Sequence, residues 1–68
     1  MGVVIIATGH VKWYDDTKGF GFIVDDDEND YFVHHSECRD EIHNDDEVEF
    51  DTERTAKGFQ AKNVKLVQ

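Results

Sequence analysis

The chain has 68 residues and a formal net charge of -9 at pH 7. So short a chain buries only a modest fraction of its surface, and we expect one domain spanning residues 1–68. Its single cysteine, Cys38, excludes an internal disulfide and favours a reducing, intracellular setting. The acidic charge, taken alone, argues against a protein that binds phosphate backbones.

The N-terminal run "VVIIA" (3–7) is the first predicted element. It is shorter than the apolar core of a signal peptide and far too short to span a bilayer. We therefore expect residues 1–8 to be an apolar N-terminal extension of strand one, in a cytoplasmic protein without membrane association. A monomer is expected, and a dimer through the exposed edge of this strand is the alternative.

The rest of the chain alternates between strands and turns. Strands are predicted at residues 3–15, 20–25, 31–35, 47–53 and 59–67. "DDTKG" and the acidic "DDDEND" separate the first three strands, and residues 36–45 hold at most one short helical turn. In strand four, Val48 and Phe50 share one face, and the acids Glu47, Glu49 and Asp51 share the other. Five short strands with frequent turns favour an all-β protein built as a small barrel.

Strand two carries two aromatic residues in "KGFGFI" (18–23). Side chains alternate along a strand, so an inward Ile23 places Phe20 and Phe22 on the outer surface. The alternative is that both rings are core, which is the commoner fate of a strand phenylalanine. That alternative exposes Ile23 and leaves two glycines on the outer face without a reason.

Strand three, "YFVHH" (31–35), extends the same pattern. If Val33 is core, Phe32 and His34 face outward beside the aromatic residues of strand two. Neighbouring strands would then present a surface of rings on which unpaired bases can stack. The sequence thus indicates a single-strand nucleic-acid surface despite the acidic charge.

Residues 9–36, "GHVKWYDDTKGFGFIVDDDENDYFVHHS", resemble the cold-shock domain. "KGFGFI" matches the first ribonucleoprotein motif of that family and "YFVHHS" the second, and the resemblance extends from Gly9 to Val64. It implies a five-stranded antiparallel β-barrel of oligonucleotide-binding (OB) type. It also implies binding of single-stranded RNA and DNA with little sequence selectivity, as in an RNA chaperone. The RNA-recognition motif is excluded because its two motifs occur in the opposite order and two helices support its sheet.

The resemblance also implies the binding residues. The base-stacking residues would be Trp13, Phe20, Phe22, Phe32 and His34. Lys12 and Lys18 would meet phosphates, and Lys57 and Gln60 would edge the same groove. Strict alternation from a buried Val11 would bury Trp13 as well, so we predict a bulge or sharp twist near residues 12–14.

Three positions and one segment depart from the family pattern. His35 stands where another stacking aromatic is usual; it can stack, and a protonated histidine attracts phosphate. Phe59 replaces a proline and either adds a stacking surface or packs inward. Asp15 replaces an asparagine, which removes an amide donor near the ligand. The 38–44 segment is shortened and lacks a phenylalanine, so one stacking subsite is expected to be missing.

Metal and catalytic sites are not expected. His34, His35, Cys38 and His43 do not match a standard zinc spacing, because "HHSEC" places adjacent histidines on opposite faces of a strand. No feature near Cys38 would lower the pKa of its thiol. No serine has a base at a recognisable spacing, so we expect no enzyme, no cofactor and no small-molecule substrate.

The acidic excess leaves two interpretations open. One is adaptation to a salty cytoplasm, which predicts that folding requires high salt. The other is that the acids solubilise the back of the barrel and repel ligands from all but one face. A rival function is an acidic protein-interaction module that has lost nucleic-acid binding and docks a protein on its aromatic residues.

Overall fold

The structure, a computed structural model, describes residues 6–56 and 58–67. These residues form a closed barrel with the strand order β1-β2-β3-β5-β4. The strands are β1 (Ile6–Asp15), β2 (Phe20–Asp25), β3 (Asp30–His34), β4 (Glu47–Thr55) and β5 (Gly58–Leu66). The all-β prediction with five strands is confirmed. Of the predicted N-terminal extension, residues 6–8 belong to β1, and residues 1–5 lie outside the described part of the chain.

The barrel is mostly antiparallel, as predicted, with one parallel strand pair. Four of the five pairs are antiparallel, but β3 and β5 are parallel and meet through Phe32 and Gln60. Strand directions cannot alternate all the way round a closed ring with an odd number of strands. At least one neighbouring pair must therefore be parallel.

The core consists of residues that alternate inward along the strands. Ile23 and Val33 have no exposed surface, and Phe50 is 1% exposed. Among the described residues, the buried hydrophobic side chains are Val11, Ile23, Tyr31, Val33, Ile42, Val48, Phe50, Ala61 and Val64. The predicted inner faces of β2, β3 and β4 are confirmed, and the intervening residues of β2, Phe20 and Phe22, lie on the outer side.

Strand β1 lies between β2 and β4, and its residues Gly9 and His10 pair with both. Its first half, from Ile6 to His10, pairs with β4, and its register with β2 shifts between Val11 and Trp13. The loop before β4 supports this irregularity, because Tyr14 N–H donates to Asn44 Oδ1 at 2.9 Å. The predicted bulge is confirmed, and Lys12 is the residue left without a partner in β2.

The connection between β3 and β4 contains a single turn of 3₁₀ helix, His35–Glu37. The prediction of at most one short turn is confirmed, although β3 ends at His34 and not at His35. His35 therefore leaves the strand alternation and is exposed. Further along, Ile42 is 2% exposed and belongs to the core cluster. Among the described residues, no helix is long and apolar enough to cross a membrane.

Candidate nucleic-acid interface

Four aromatic rings from three strands contact one another on the outside of the barrel. The ring centroids of Trp13 lie 5.8 Å from those of Phe20 and 5.6 Å from those of Phe22. Phe32 lies 5.8 Å from both phenylalanines. We call these four residues, together with His34, the aromatic platform. Since Trp13 is 37% exposed and the phenylalanines are half-buried, ring surface is available to a ligand.

Strand register sets the arrangement of the platform. Phe22 pairs directly with Phe32 on one side and with Trp13 on the other, and Phe20 pairs with His34. Directly opposed residues lie about 4.5–5.5 Å apart at their Cβ atoms, so these rings must touch. The platform is thus built on hydrogen-bonded strands and is fixed before any ligand arrives.

Gly21 lies beneath the platform, on the inner side of β2. A Cβ at this position would overlap the backbone carbonyl oxygen of Trp13 and lie 2.8 Å from Tyr14 Cα. Only a residue without a side chain lets the bulged β1 backbone approach β2 so closely. The glycine that the sequence places between Phe20 and Phe22 therefore permits the position of Trp13.

The β1–β2 turn carries Lys18, two positions before Phe20 of the platform. Asp15 Oδ1 accepts hydrogen bonds from Thr17 N–H at 2.9 Å and Lys18 N–H at 3.1 Å. Gly19 ends the turn with φ of +77°, a conformation that favours glycine. Lys18 is exposed beside Phe20. Asp15, the departure noted in the sequence, thus organises this turn.

The rings of His34 and His35 contact each other, with centroids 4.3 Å apart and planes tilted by 38°. The prediction that these adjacent histidines lie on opposite faces is therefore wrong. His34 Nδ1 lies 2.9 Å from Ser36 Oγ and accepts from Ser36 N–H at 3.3 Å, so it also caps the 3₁₀ helix. His35 N–H donates to the carbonyl oxygen of Gly19 at 2.9 Å. Both predicted histidines are exposed at the edge of the platform.

Lys12 has an acidic partner. Its Nζ lies 3.7 Å from Asp30 Oδ2, with both side chains about half exposed. Exposed pairs of this kind contribute at most about 1 kcal/mol, so a ligand phosphate can replace the carboxylate at small cost. Lys57, which was also predicted to edge the groove, lies outside the described residues.

Gln60 and Phe59 line a cleft at one end of the platform. The cleft has a volume of about 570 Å³ and includes Phe22 and Phe32 in its wall. Phe59 is 45% exposed, and its ring lies 5.7 Å from that of Tyr31. One side of the Phe59 ring packs against Tyr31 of the core and the other side is open, so a stacking role for Phe59 stays a prediction.

Of the residues weighed as metal ligands, His34 and His35 are in contact, but in the part of the chain that the structure describes no group of three or more His, Cys, Asp or Glu is arranged to hold an ion. His43 approaches Glu41 and Asp46, each at 3.5 Å. Cys38 is half-buried, and burial raises the pKa of its thiol. The thiol is thus less nucleophilic than an exposed cysteine.

Sequence reasoning missed two residues that shape the interface. Asp30 shares the outward parity of Phe32 and His34, so alternation alone predicts that it borders the platform. Asn44 supports the backbone at the bulge from a loop 30 residues away. No local sequence pattern reports such a long-range contact.

Comparison with known proteins identifies the family. Residues 7–67 match the family model described as "'Cold-shock' DNA-binding domain". The chain is 43% identical over 67 residues to the cold shock-like protein CspA of Stigmatella aurantiaca, covering 91% of this chain and 98% of that protein. It is 44% identical over 64 residues to the major cold shock protein of Micrococcus luteus, covering 87% of this chain and 96% of that protein.

A solved structure, drosophila Unr CSD456, has the same fold. It superposes with a TM-score of 0.79 at 26% sequence identity, covering 96% of this chain. This chain spans 28% of that longer chain. Together with the family match over residues 7–67, the barrel and its paired motifs show that the chain belongs to the cold-shock domain family.

Proposed function

We propose that this protein binds single-stranded RNA and DNA with little sequence preference, by stacking bases on the aromatic platform. The observation that carries the proposal is the set of four contacting rings on the outside of β1, β2 and β3. None of these four rings belongs to the buried core cluster. The fold of a water-soluble domain therefore does not require them to be grouped on its surface. The description of the matching family as a DNA-binding domain supports the same function.

The chemistry of the platform explains why it tolerates any base and why it prefers unpaired strands. Every base has a π face, so stacking tolerates any base and contributes about 1–3 kcal/mol for each. In a duplex those faces are already stacked and cannot reach a protein ring. The platform therefore selects unpaired strands without selecting sequence.

Selective binding of unpaired strands also predicts an RNA-chaperone activity. A protein that binds only the unpaired state shifts the equilibrium of an RNA hairpin towards that state. Because no sequence is preferred, many hairpins are affected by modest amounts. We therefore propose that the protein keeps RNA accessible without hydrolysing a cofactor.

Charge has a supporting role in this binding. Of the two lysines predicted to meet phosphates, Lys18 is exposed and Lys12 already faces Asp30. Few counterions are then released when a strand binds, so the salt dependence is expected to be shallow. The other acids keep duplexes and nonspecific polyanions away from the remaining surface.

The test is the double variant Phe20→Ala, Phe32→Ala, with binding of labelled oligo-dT measured by anisotropy. Loss of two stacking rings is expected to weaken binding at least about 30-fold, at roughly 1–3 kcal/mol for each ring. The matched control is Ile6→Ala, because Ile6 is also a large exposed apolar residue, at 62%, and lies outside the platform. Its affinity is expected to equal that of the wild type.

Circular dichroism establishes that both variants are folded. Wild-type affinity in the folded double variant would overturn base stacking on the platform. If the folded wild type binds no oligonucleotide at all, the acidic protein-interaction module takes the place of this proposal.

A further inference from the structure

The outer side of β5 borders the platform next to β3. Phe32 of β3 pairs with Gln60 of β5, and the two strands are parallel. Ala61 is 1% exposed and faces the core, so Gln60 and Lys62 on either side of it face outward. Two residues beyond the Phe32–Gln60 pair along each strand are His34 and Lys62. The register therefore places Lys62 on the outer surface at the His34 end of the platform.

The 3₁₀ turn that follows His34 holds the Lys62 side chain. Lys62 Nζ lies 3.5 Å from Glu37 Oε2, and each of the two side chains is 31% exposed. Glu37 is the last residue of that turn, three positions after His34. The ammonium group is thus fixed near the edge of the platform and remains accessible from solvent.

A second acidic neighbour of Lys62 is engaged elsewhere. Asp51 pairs with Lys62 across β4 and β5. Its carboxylate accepts a hydrogen bond from Asn63 Nδ2 at 2.8 Å, and Asn63 Oδ1 accepts from Arg39 Nη2 at 2.7 Å. Among the described residues, Glu37 is the carboxylate that forms an ion pair with Lys62.

We propose that Lys62 is a phosphate contact for the strand that lies on the platform, and that Glu37 competes with the phosphate for the ammonium group. The proposal rests on the function proposed above. The ligand group is a backbone phosphate of single-stranded RNA or DNA whose bases stack on Phe32 and His34. When the strand binds, Lys62 exchanges the Glu37 carboxylate for that phosphate.

The Lys62–Glu37 pair is suited to this exchange. A backbone phosphate and a carboxylate carry the same charge, and both accept charge-assisted hydrogen bonds from an ammonium group. Ion pairs this accessible to solvent contribute little to stability, so breaking the pair costs the fold little. Glu37 therefore lowers the affinity for the strand without being needed by the barrel.

The position of Lys62 also matches a gap expected in the binding surface. The 3₁₀ turn leads directly into the 38–44 segment, which is shortened and is expected to lack one stacking subsite. A phosphate contact at Lys62 holds the strand by charge at the corner of the platform where a ring is expected to be missing.

The experiment is a double-mutant cycle on the binding of labelled oligo-dT, measured by anisotropy at low salt. The four proteins are the wild type, Glu37→Gln, Lys62→Gln and the double variant. Glu37→Gln is expected to tighten binding about two- to fivefold, and Lys62→Gln to weaken it by a similar factor, as for exposed charge pairs. The gain from Glu37→Gln should be much smaller in the Lys62→Gln background, because the carboxylate then has no lysine to occupy.

Salt dependence gives a second measurement of the same contact. Glu37→Gln frees Lys62 for the strand, so the slope of log affinity against log salt should steepen by about 0.7, the contribution of one phosphate contact on a single strand. The matched control is Lys65→Gln, because Lys65 lies on the same strand and pairs with Glu49 of the acidic side of β4. It should weaken binding less than Lys62→Gln does.

Chemical protection tests the contact without a substitution at Lys62. In Glu37→Gln, bound oligo-dT should protect Lys62 from acetylation and leave Lys65 reactive, as measured by mass spectrometry. Equal protection of the two lysines would overturn the Lys62 contact.

Circular dichroism establishes that all variants are folded. Equal gains from Glu37→Gln with and without Lys62 would show that Glu37 acts only through general repulsion, and would overturn the contact. Equal losses in Lys62→Gln and Lys65→Gln would also overturn it, since net charge would then explain both. Absence of binding by the folded wild type overturns the proposed function itself, so the two failures are distinguishable.

Discussion

Strands β2 and β4 present similar inner faces and opposite outer faces. Inside, Ile23 of β2 and Val48 of β4 are both fully buried. Outside, β2 carries Phe20 and Phe22 of the platform, whereas β4 carries an acidic face formed by Glu47, Glu49 and Asp51. The inner residues supply the hydrophobic stabilisation of the barrel, and the outer residues decide what each side of it can bind.

The location of the two outer faces on different strands also explains how an acidic protein can bind nucleic acid. The acidic face lies on a strand that pairs with β1 and β5, and the platform lies across β1, β2 and β3. Surface charges more than about 10 Å apart are largely screened at 0.1 M salt. Net charge therefore reports poorly on a ligand surface whose main interaction is stacking.

The largest expected effect is the loss of stability on removing an inner aromatic residue, which should exceed the loss on removing an outer one. Phe50→Ala should lower the free energy of unfolding by about 3–5 kcal/mol, because it leaves a cavity in the core. For a domain of this size the total is only about 3–10 kcal/mol, so the variant should be largely unfolded at 37 °C. Phe20→Ala should cost less than half as much and instead weaken binding. Urea unfolding of both variants measures this, and equal losses would contradict the division between faces.

Gly21→Ala tests whether the platform depends on the close approach of β1 and β2. The added methyl group collides with the Trp13 and Tyr14 backbone, so we expect a loss of stability of about 1–3 kcal/mol or more, typical of overpacking. The emission maximum of Trp13 should shift, since its backbone must move.

Gly58→Ala is the control for that collision. A Cβ there meets no atom within 4 Å, but its φ of +123° makes the substitution strained. Stability should fall while Trp13 emission stays at the wild-type maximum. A Gly21→Ala protein with unchanged stability and emission would show that the platform does not need the glycine.

Charge substitutions on the two outer faces sharpen the comparison further. Lys18→Gln should reduce the magnitude of the slope of log affinity against log salt by about one, as expected for a lost phosphate contact. The double variant Glu47→Gln, Glu49→Gln should change affinity by less than about twofold at 0.1 M salt, because β4 carries no platform residue and salt screens exposed charges. A larger effect from the acidic face than from Lys18 would contradict the account.

The smallest effect concerns the acidic loop after β2. Backbone N–H donation from Asn29 is the main reason that the pKa of Asp25 lies below its usual value of 3.8; the Tyr31 hydroxyl also contributes. The charged form is thus favoured in the folded state. The resulting stabilisation is present above pH 3.8 and is lost as pH falls through the lower folded-state pKa.

Asp25→Asn tests this directly. It should reduce the difference in unfolding free energy between neutral and strongly acidic solution, measured with urea at each pH. An NMR titration of the wild-type Asp25 carboxyl should give a pKa below 3.8. A pKa at or above that value would show that the loop hydrogen bonds do not favour the carboxylate.

Alternation along the strands predicted most of the fold. It placed Ile23, Val33 and Phe50 inside, because side chains on a strand must face one side or the other. It did not predict the parallel β3–β5 pair, which follows from closing the ring and not from any local pattern. The resemblance to a known family implied an exposed Trp13, and alternation then required the bulge that the structure contains.

The platform could be predicted from sequence better than its surroundings. Phe20, Phe22 and Phe32 follow from local parity, whereas the Lys12–Asp30 ion pair joins residues on different strands. Phe59 was ambiguous because its ring is packed on one side and exposed on the other. Phe59 lies near the start of β5, at an end of the barrel. There, strand periodicity no longer determines which residues a side chain contacts.

The most direct test of base stacking uses Trp13 as its own probe. The protein is titrated with short oligo-dT at low and at high salt while its single tryptophan is followed by fluorescence. Base stacking on the platform predicts saturable quenching at both salt concentrations. The slope of log affinity against log salt concentration should be shallower than about -3. Absence of quenching wherever the protein is folded, or a steeper slope, would contradict binding dominated by stacking on the aromatic platform.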